Sequence, residues 1–264
     1  MLTFDPILLS ALNRSCPNAS ANLTAQLAQR GFATVTTDDP HIHRLLESGL
    51  DEAAEMSGFR FPPHDSETEN AIYTPTKRAV FKTLFYISLA CFESLSRGSV
   101  IPPTLTTALD NVHQAHFSLF GTDGQDHEPF GNGQPFAQSF FNLFNYNQGL
   151  LNPHYDRSLM TIVKVRAGGN LQDNQTSLWA KSNTGEWTNV DRTVGPDEVV
   201  VMIGQESEAL SFARASNLYA AEHAVRVEPK GEYIPHSHFQ RDPQTPTQRN
   251  RVSAAFILRH DESG

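Results

Sequence analysis

The spacing of hydrophobic residues changes about half-way along the chain. Before residue 121, apolar side chains recur at intervals of three and four residues, which is typical of helices. From Phe136 onward they alternate with polar residues or form short apolar runs, which is typical of β-strands. A glycine-rich stretch at 121–135 separates the two patterns. We therefore expect one domain over residues 1–264, with a mostly helical region at 1–134 and a jelly-roll core at 135–258.

The first half of the chain predicts a short arm followed by helices. We expect residues 1–20 to be the arm, with Ser20 capping the first helix and Gly31 ending it. Phe32–Val35 predicts a strand, and the proline-containing segment 57–75 predicts a loop. The expected helices span about 22–30, 38–56, 76–96 and 103–120.

The second half of the chain predicts many short strands. Ser182–Gly185 has the composition of a tight turn between two of them. Short strands punctuated by turns favour a sandwich or a jelly roll. With the change of period after 121–135, we expect a mainly β protein with flanking helices and a double-stranded β-helix (jelly-roll) core. The expected strands lie near 140–146, 158–166, 177–181, 186–190, 198–204, 223–228 and 251–258.

Composition narrows the possible functions. The 264 residues are 39% hydrophobic and carry a net charge of −9, which suits one globular domain. Because no long cluster of Lys and Arg exists, binding to a nucleic-acid duplex is not expected. We see no apolar run of about 18 residues, and so expect no membrane span. Cys16 and Cys91 do not suggest a disulfide framework, and we expect a cytoplasmic monomer.

His154 and Asp156 stand two residues apart, just before the apolar run Leu159–Val163. On a strand, residues at this spacing point to the same side. An imidazole and a carboxylate are two of the three ligands of the facial triad, which binds Fe(II) on one face and leaves the other open. His-x-Asp alone is a weak signal, because most such pairs are surface residues without a metal.

The third ligand must come from elsewhere in the chain. His223 precedes the alternating segment Val225–Glu228, which predicts a strand. His236 and His238 are the alternatives, but they lie in the proline-containing polar segment 229–250. His223 is therefore the preferred third ligand.

Arg251 and Ser253 share one face of a strand whose remaining residues are apolar. An arginine inside a barrel is costly unless an anion meets it. Because no acidic residue neighbours Arg251 at strand spacing, we expect the carboxylate of a bound ligand to be its partner.

In this order the motifs resemble those of the non-haem Fe(II)/2-oxoglutarate-dependent dioxygenases, in the branch similar to isopenicillin N synthase. The resemblance covers residues 135–258 well and the first half faintly. One departure is the separation of His223 from Arg251 by 28 positions, which is longer than is usual in the family. The residues that carry the resemblance are His154-x-Asp156, His223, Arg251-x-Ser253, Tyr146 and the strand 199–206.

The resemblance implies Fe(II) on His154, Asp156 and His223, and 2-oxoglutarate on Arg251, Ser253 and Tyr146. It also implies that a small-molecule substrate is hydroxylated, desaturated or cyclised by O2, with release of succinate and CO2. Two alternatives stay open. One is an Fe(II) oxidase or cyclase of the same fold that uses no 2-oxoglutarate. The other is a non-catalytic jelly-roll binding protein.

Overall fold

Two β-sheets face each other, and helices cover the outer side of the larger sheet. The computed structural model describes residues 6–54, 59–61, 74–114, 136, 138–146, 151–166, 176–227 and 251–260. Within these ranges the larger sheet has seven strands and the smaller has four. The facing sides of the two sheets bury one shared apolar cluster, which includes Val163 and Val200 from the larger sheet and Leu178 and Val225 from the smaller.

The strands follow the connectivity of a jelly roll. The larger sheet has the order β1 (Ile7–Leu8), β2 (Ala33–Thr36), β9 (Glu198–Ile203), β6 (Met160–Val165), β11 (Arg251–Leu258), β4 (Phe140–Tyr146) and β3 (Phe59–Phe61). The smaller has the order β5 (Leu151–His154), β10 (His223–Val227), β7 (Thr176–Lys181) and β8 (Trp187–Asn189). From β4 to β11 the chain passes back and forth between the sheets through antiparallel pairs, which confirms the predicted double-stranded β-helix core.

The helices are α1 (Leu9–Asn13), α2 (Pro17–Arg30), α3 (Pro40–Ala54), α4 (Pro75–Ser96), α5 (Pro103–Gln114), α6 (Gln205–Glu208) and α7 (Ser211–Ala215). Local signals set several ends. The Thr74 side chain accepts a hydrogen bond from Lys77 N, and Pro75 opens α4. Gly31 ends α2 with a φ of 76°, a left-handed conformation that favours glycine. Helices α3 and α4 pack outside the larger sheet, as predicted.

Alternate residues of the larger sheet enter two different cores, because successive side chains on a strand point to opposite faces. The outer core lies between the sheet and the helices. There Phe81 and Phe85 of α4 contact Phe256 edge-on, with ring centroids 5.3 and 5.9 Å away. The inner core lies between the two sheets and includes Val165 and Ala255.

Helix α4 is long and apolar. It has 22 residues, and its length and composition alone would allow it to cross a membrane. In this fold, 67% of its most apolar 18 residues are buried, as in the core helix of a globular domain. The expectation of no membrane span was based on unbroken apolar runs, and Lys82 and Glu93 interrupt this one.

The beginning of the chain differs from the expected arm. Ile7–Leu8 pairs in parallel with β2, and Leu9 and Leu12 of α1 are buried. Helix α2 begins at Pro17, which is favourable at a first helical position, so Ser20 lies inside the helix and does not cap it. Phe59–Phe61, expected in a loop, pairs with β4 at the edge of the larger sheet. The predicted boundary at 121–135 lies outside the described residues.

A row of ion pairs connects α3 to the larger sheet. Its members on α3 lie four residues apart, so they share one face of the helix. The ion pairs are Glu47 with Lys164 at 3.2 Å and Asp51 with Arg166, and one turn earlier His43 Nδ1 lies 3.2 Å from Asp197 Oδ1. Lys164 is fully buried and also donates to the carbonyl oxygens of Pro196 and Glu198.

Candidate metal centre

His154 and His223 are brought together by strand pairing. His154 is the last residue of β5, and His223, the first of β10, lies directly opposite it in the antiparallel ladder. Residues paired in this way project to the same face of a sheet. The two imidazole rings are 4.3 Å apart between centroids and inclined by 55°. Asp156 lies two residues beyond the end of β5, so it is not part of the strand. Its carboxylate approaches the two histidines from the segment that follows the strand.

The donor atoms of the three side chains converge. Asp156 Oδ1 lies 3.6 Å from His154 Nε2, and Asp156 Oδ2 lies 3.5 Å from His223 Nε2. Both distances exceed those of ordinary hydrogen bonds. One possible ligand atom can be chosen from each residue so that all three atoms lie within 4.8 Å of one another. Of the described residues, only these three His, Asp, Glu or Cys form such a group.

Backbone carbonyls orient both histidines. His154 Nδ1 lies 2.8 Å from the carbonyl oxygen of Asn152, and His223 Nδ1 lies 3.0 Å from that of Ala221. A carbonyl only accepts, so in each pair Nδ1–H donates and the tautomer is fixed. Each Nε2 then faces the Asp156 carboxylate. This is the second-sphere arrangement that metal-binding histidines usually have.

Asp156 is positioned by a hydroxyl and by a glycine turn. Thr161 Oγ1 donates a hydrogen bond of 2.6 Å to Asp156 Oδ2. After β9 the chain turns at Gly204, and the next residue, Gln205, donates its backbone N–H to the Asp156 carbonyl at 2.9 Å. A Cβ atom at position 204 would lie 2.1 Å from the Ser158 carbonyl oxygen, so only glycine allows this close approach.

The electrostatics of the three side chains suit a cation. Burial would raise the pKa of Asp156, but the two imidazoles and the Thr161 hydroxyl hold it below its usual value. The Asp156 carboxylate raises the pKa of His154 despite partial burial. Burial lowers the pKa of His223 and so favours the neutral ring, which is the form that binds metal.

The donor set fits the facial triad that the sequence predicts. Two imidazole nitrogens and one carboxylate oxygen face a common point, and one carboxylate oxygen is already oriented by Thr161. This combination suits Fe(II) and leaves other positions on the metal for ligands that are not protein groups. His154, Asp156 and His223 are therefore the residues that would hold the ion.

The structure changes the environment expected for Arg251. Its guanidinium forms a bidentate ion pair with Asp191, with Nε 2.7 Å from Oδ2 and Nη2 3.2 Å from Oδ1. Nη1 also donates to Ser253 Oγ at 2.8 Å. A bound ligand was expected to balance the charge of Arg251, but Asp191 already supplies an anion. Asp191 follows the distant strand β8, so no local sequence spacing reveals it.

The remaining candidates divide into described and undescribed residues. The backbone of Tyr146 lies opposite Arg251 in the ladder, but its side chain lies outside the described structure. His236 and His238 also lie outside it. A further arginine, Arg226 of β10, contacts the faces of Trp179 and Trp187, with its guanidinium carbon 4.9 and 4.5 Å from the ring centroids. Being three positions along β10 from His223, it lies on the opposite face of that strand.

Three residues of the centre were not singled out as site residues from the sequence. Thr161 binds the Asp156 carboxylate, Gly204 permits the turn that holds its backbone, and Asp191 pairs with Arg251. The glycine did appear as the end of a predicted strand. A threonine alternating with inward-facing valines after His-x-Asp was a detectable signal for Thr161.

Solved structures share this architecture over nearly the whole chain. A candidate oxygenase from Shewanella oneidensis has a TM-score of 0.57 at 13% identity, covering 99% of this chain and 92% of that one. A full-length protein from Neurospora crassa, in complex with alpha-KG and 5-formyluracil, has a TM-score of 0.53 at 13% identity, covering 100% and 86%. The chain has the fold of these structures.

A third similar structure is that of dioxygenase for auxin oxidation 1 from Arabidopsis thaliana with 2-oxoglutarate. Its TM-score is 0.54 at 12% identity, covering 99% of this chain and 94% of that one. No family model and no curated protein matches the chain in sequence. At these identities the likeness establishes the fold, while the chemistry must be argued from the site.

Proposed function

We propose that this protein is an Fe(II)- and 2-oxoglutarate-dependent dioxygenase that oxidises a small-molecule metabolite. The observation that carries the proposal is the convergence of His154, Asp156 and His223 at one end of a jelly roll, with donor atoms within 4.8 Å of one another. The fold alone would allow many functions, but this donor set is specific to a few metals and leaves open positions for reactants.

The interior of the barrel supports a place for 2-oxoglutarate. Asp191 accepts from Leu178 N at 3.1 Å, and Leu178 lies opposite Val225, two residues along β10 from His223. Two residues of strand correspond to about 7 Å. The Asp191–Arg251 pair therefore lies deeper in the barrel than the histidines, by a distance comparable to the length of a short dicarboxylate. Such an acid would reach the metal with one end and Arg251 with the other.

The chain's own residues would bind, orient and shield the reactants. His154, Asp156 and His223 would hold the ion, and Arg251 with Ser253 would bind the distal carboxylate through charge-assisted hydrogen bonds. Bound Fe(II) would supply the oxidising chemistry, in which O2 oxidises both reactants: 2-oxoglutarate loses CO2 to give succinate, and a substrate C–H bond is oxidised. The inner core, with Val163, Val165 and Ala255, would keep water away from the co-substrate.

Two comparisons support a small organic molecule as substrate. The similar Neurospora protein is seen with 5-formyluracil, and the similar Arabidopsis protein is named for auxin oxidation. In this chain Tyr155, which directly follows His154, and Leu151, three residues before it, are 47% and 37% exposed. Exposed apolar side chains close in sequence to the ligands would favour a substrate with an apolar part.

Succinate formation tests the proposal. The protein, loaded with Fe(II), is mixed with 2-oxoglutarate and O2 and screened against a metabolite library. We expect one compound or class to stimulate succinate release in step with O2 uptake and oxidised product. Asp156→Ala should abolish succinate release, whereas Asp197→Asn, at an exposed position, should retain it. A parent protein that binds Fe(II) but consumes no O2 with any compound would instead be the non-catalytic binding protein.

One observation favours a second candidate, an Fe(II) oxidase or cyclase that uses no 2-oxoglutarate. Asp191 already compensates the charge of Arg251, so this arginine has a protein partner without any co-substrate. The discriminating result would be O2 uptake and product formation in the absence of 2-oxoglutarate, with no succinate released in its presence.

A further inference from the structure

We propose that Asp191 is an internal counter-ion that limits the affinity of the Arg251 pocket for 2-oxoglutarate. This inference rests on the proposed function, because it assigns the affinity-setting residue of the same pocket. Asp191 would be a positioning residue: it acts on the co-substrate through the guanidinium of Arg251.

The ion pair is buried and complete. The side chains of Arg251 and Asp191 are only 5% and 8% exposed. The Asp191 carboxylate accepts three hydrogen bonds, from Arg251 Nε, Arg251 Nη2 and the backbone N–H of Leu178. A charge pair removed from water in this way is held in one geometry and is not exchanged for solvent contacts.

The pair joins the two sheets across the barrel interior. Arg251 shares its face of β11 with Ser253 and with Ala255, which is a member of the inner core. Asp191 comes from the segment that follows β8 in the smaller sheet. The carboxylate therefore approaches the guanidinium from the sheet that faces β11.

The charge balance determines the sign of the effect. A lone buried guanidinium attracts a ligand carboxylate strongly, whereas the Arg251–Asp191 pair has no net charge. An incoming carboxylate must then share the guanidinium with Asp191 and stay close to a like charge. Asparagine keeps the shape of Asp191 and one oxygen acceptor but removes the charge. Asp191→Asn should therefore bind 2-oxoglutarate more tightly, by about tenfold or more.

A merely structural role for Asp191 predicts the opposite result. If the carboxylate only held Arg251 in place, its loss would misplace the guanidinium and weaken 2-oxoglutarate binding. Loss of the counter-ion should also lower the melting temperature of the ligand-free variant, because a buried charge loses its partner. Added 2-oxoglutarate should then raise the melting temperature of the variant more than that of the parent.

The test is a calorimetric titration of 2-oxoglutarate into the Mn(II)-loaded protein without O2. It compares the parent with Asp191→Asn and with the control Glu186→Gln, which removes one negative charge from the exposed β7–β8 hairpin. We expect tighter binding only in Asp191→Asn. Asp191→Ser, which adds no bulk, provides the same comparison if the asparagine variant does not fold. Unchanged or weaker binding in the folded variant would overturn the inference.

A measurement on the parent alone tests the same point. 2-Oxopentanoate has the metal-binding end of 2-oxoglutarate but lacks the second carboxylate. With Asp191 as counter-ion, the parent should prefer 2-oxoglutarate by less than about 30-fold, the lower end expected for a buried charge pair. A larger preference would contradict the role given to Asp191. If neither the parent nor the variants bind 2-oxoglutarate although all bind Mn(II), the proposed function itself is wrong.

Discussion

The two faces of the larger sheet bury their residues in different ways. On the outer face, Phe81, Phe85 and Phe256 interlock edge to face with a long helix, and the core is continuous from the sheet into the helices. On the inner face the buried apolar side chains are mostly valine and alanine, as with Val163 and Ala255, and the candidate metal ligands and the Arg251–Asp191 pair lie near them. Alternate residues of the same strands serve both faces, so a single sheet separates the stabilising core from the reactive interior.

Each face also contains a buried cation, and the two have different surroundings. Lys164 on the outer face donates hydrogen bonds to two backbone carbonyls and forms an ion pair with Glu47. These contacts connect α3 and the turn before β9 to the sheet. Arg251 on the inner face meets Asp191 and Ser253 within the barrel. Burial of charge therefore does not by itself mark a functional site, and the face on which the charge lies is more informative.

The largest expected effect is on the inner face. Asp156→Ala removes the carboxylate of the candidate centre, so metal affinity should fall by more than the roughly 10–100-fold that outer-sphere changes cause. The free energy of unfolding should change little, because the outer core is untouched. Metal titration and thermal denaturation of the same sample check both expectations. Equal metal affinity in the variant and the parent would show that the ion binds elsewhere.

On the outer face, Phe256→Ala should produce the reverse pattern. Deletion of this buried ring leaves a cavity against α4, and the expected loss of unfolding free energy is about 3–5 kcal/mol. The folded fraction should bind metal with the affinity of the parent, since the ring points away from the inner face. Urea denaturation and metal titration provide the two numbers. A change in metal affinity as large as the change in stability would mean that the two faces are coupled.

A smaller effect is expected from Thr161→Val, which keeps the shape of the side chain but removes the 2.6 Å hydrogen bond to Asp156. Metal affinity should fall by about 10–100-fold. Thr161→Ser retains the hydroxyl and serves as the matched control, with affinity close to that of the parent. If both variants weaken binding equally, the packing of the threonine methyl group matters and the hydrogen bond does not.

The smallest effect is expected for Lys164→Met. Two carbonyls lose their donor, but the cost of burying an ammonium disappears, so we expect a net destabilisation of about 1–2 kcal/mol and no change in metal or 2-oxoglutarate affinity. Burial lowers the pKa of Lys164 in the folded state below its usual 10.5. Between these two values the unfolded parent binds more protons, so its stability rises with pH. The deficit of the variant should therefore grow toward alkaline pH in denaturation experiments; a deficit that shrinks would contradict this account.

Local patterns were enough to predict much of the fold and the candidate ligands. The change of hydrophobic period predicted helices outside a jelly roll, and α4 was expected within a residue of its bounds. His154 and Asp156 are neighbours in sequence, and His223 begins an alternating strand, so each left a local signal. The two-residue period of strands was sufficient to place Arg251 and Ser253 on one face.

Features that depend on distant partners could not be predicted in this way. Asp191 reaches Arg251 only because β8 and β11 belong to facing sheets, and no spacing along the chain encodes that contact. Strands β1 and β3 were not predicted because they have only two and three residues, too few to show a period. Ser20 is a good capping residue, but Pro17 begins the helix earlier and burial of Leu23 and Leu27 keeps it there.

The row of ion pairs on α3 determines the position of this helix along the larger sheet. Four residues of helix advance about 6 Å, and two residues of strand advance about 7 Å. The distance from Glu47 to Asp51 along α3 therefore nearly matches the distance from Lys164 to Arg166 along the strand. A slip of α3 by one turn in one direction would bring Glu47 to Asp197, a repulsive contact. A slip in the other would leave Lys164 facing His43 without its carboxylate. An apolar helix face alone would tolerate such sliding, whereas the charged residues favour one alignment of α3 along the sheet.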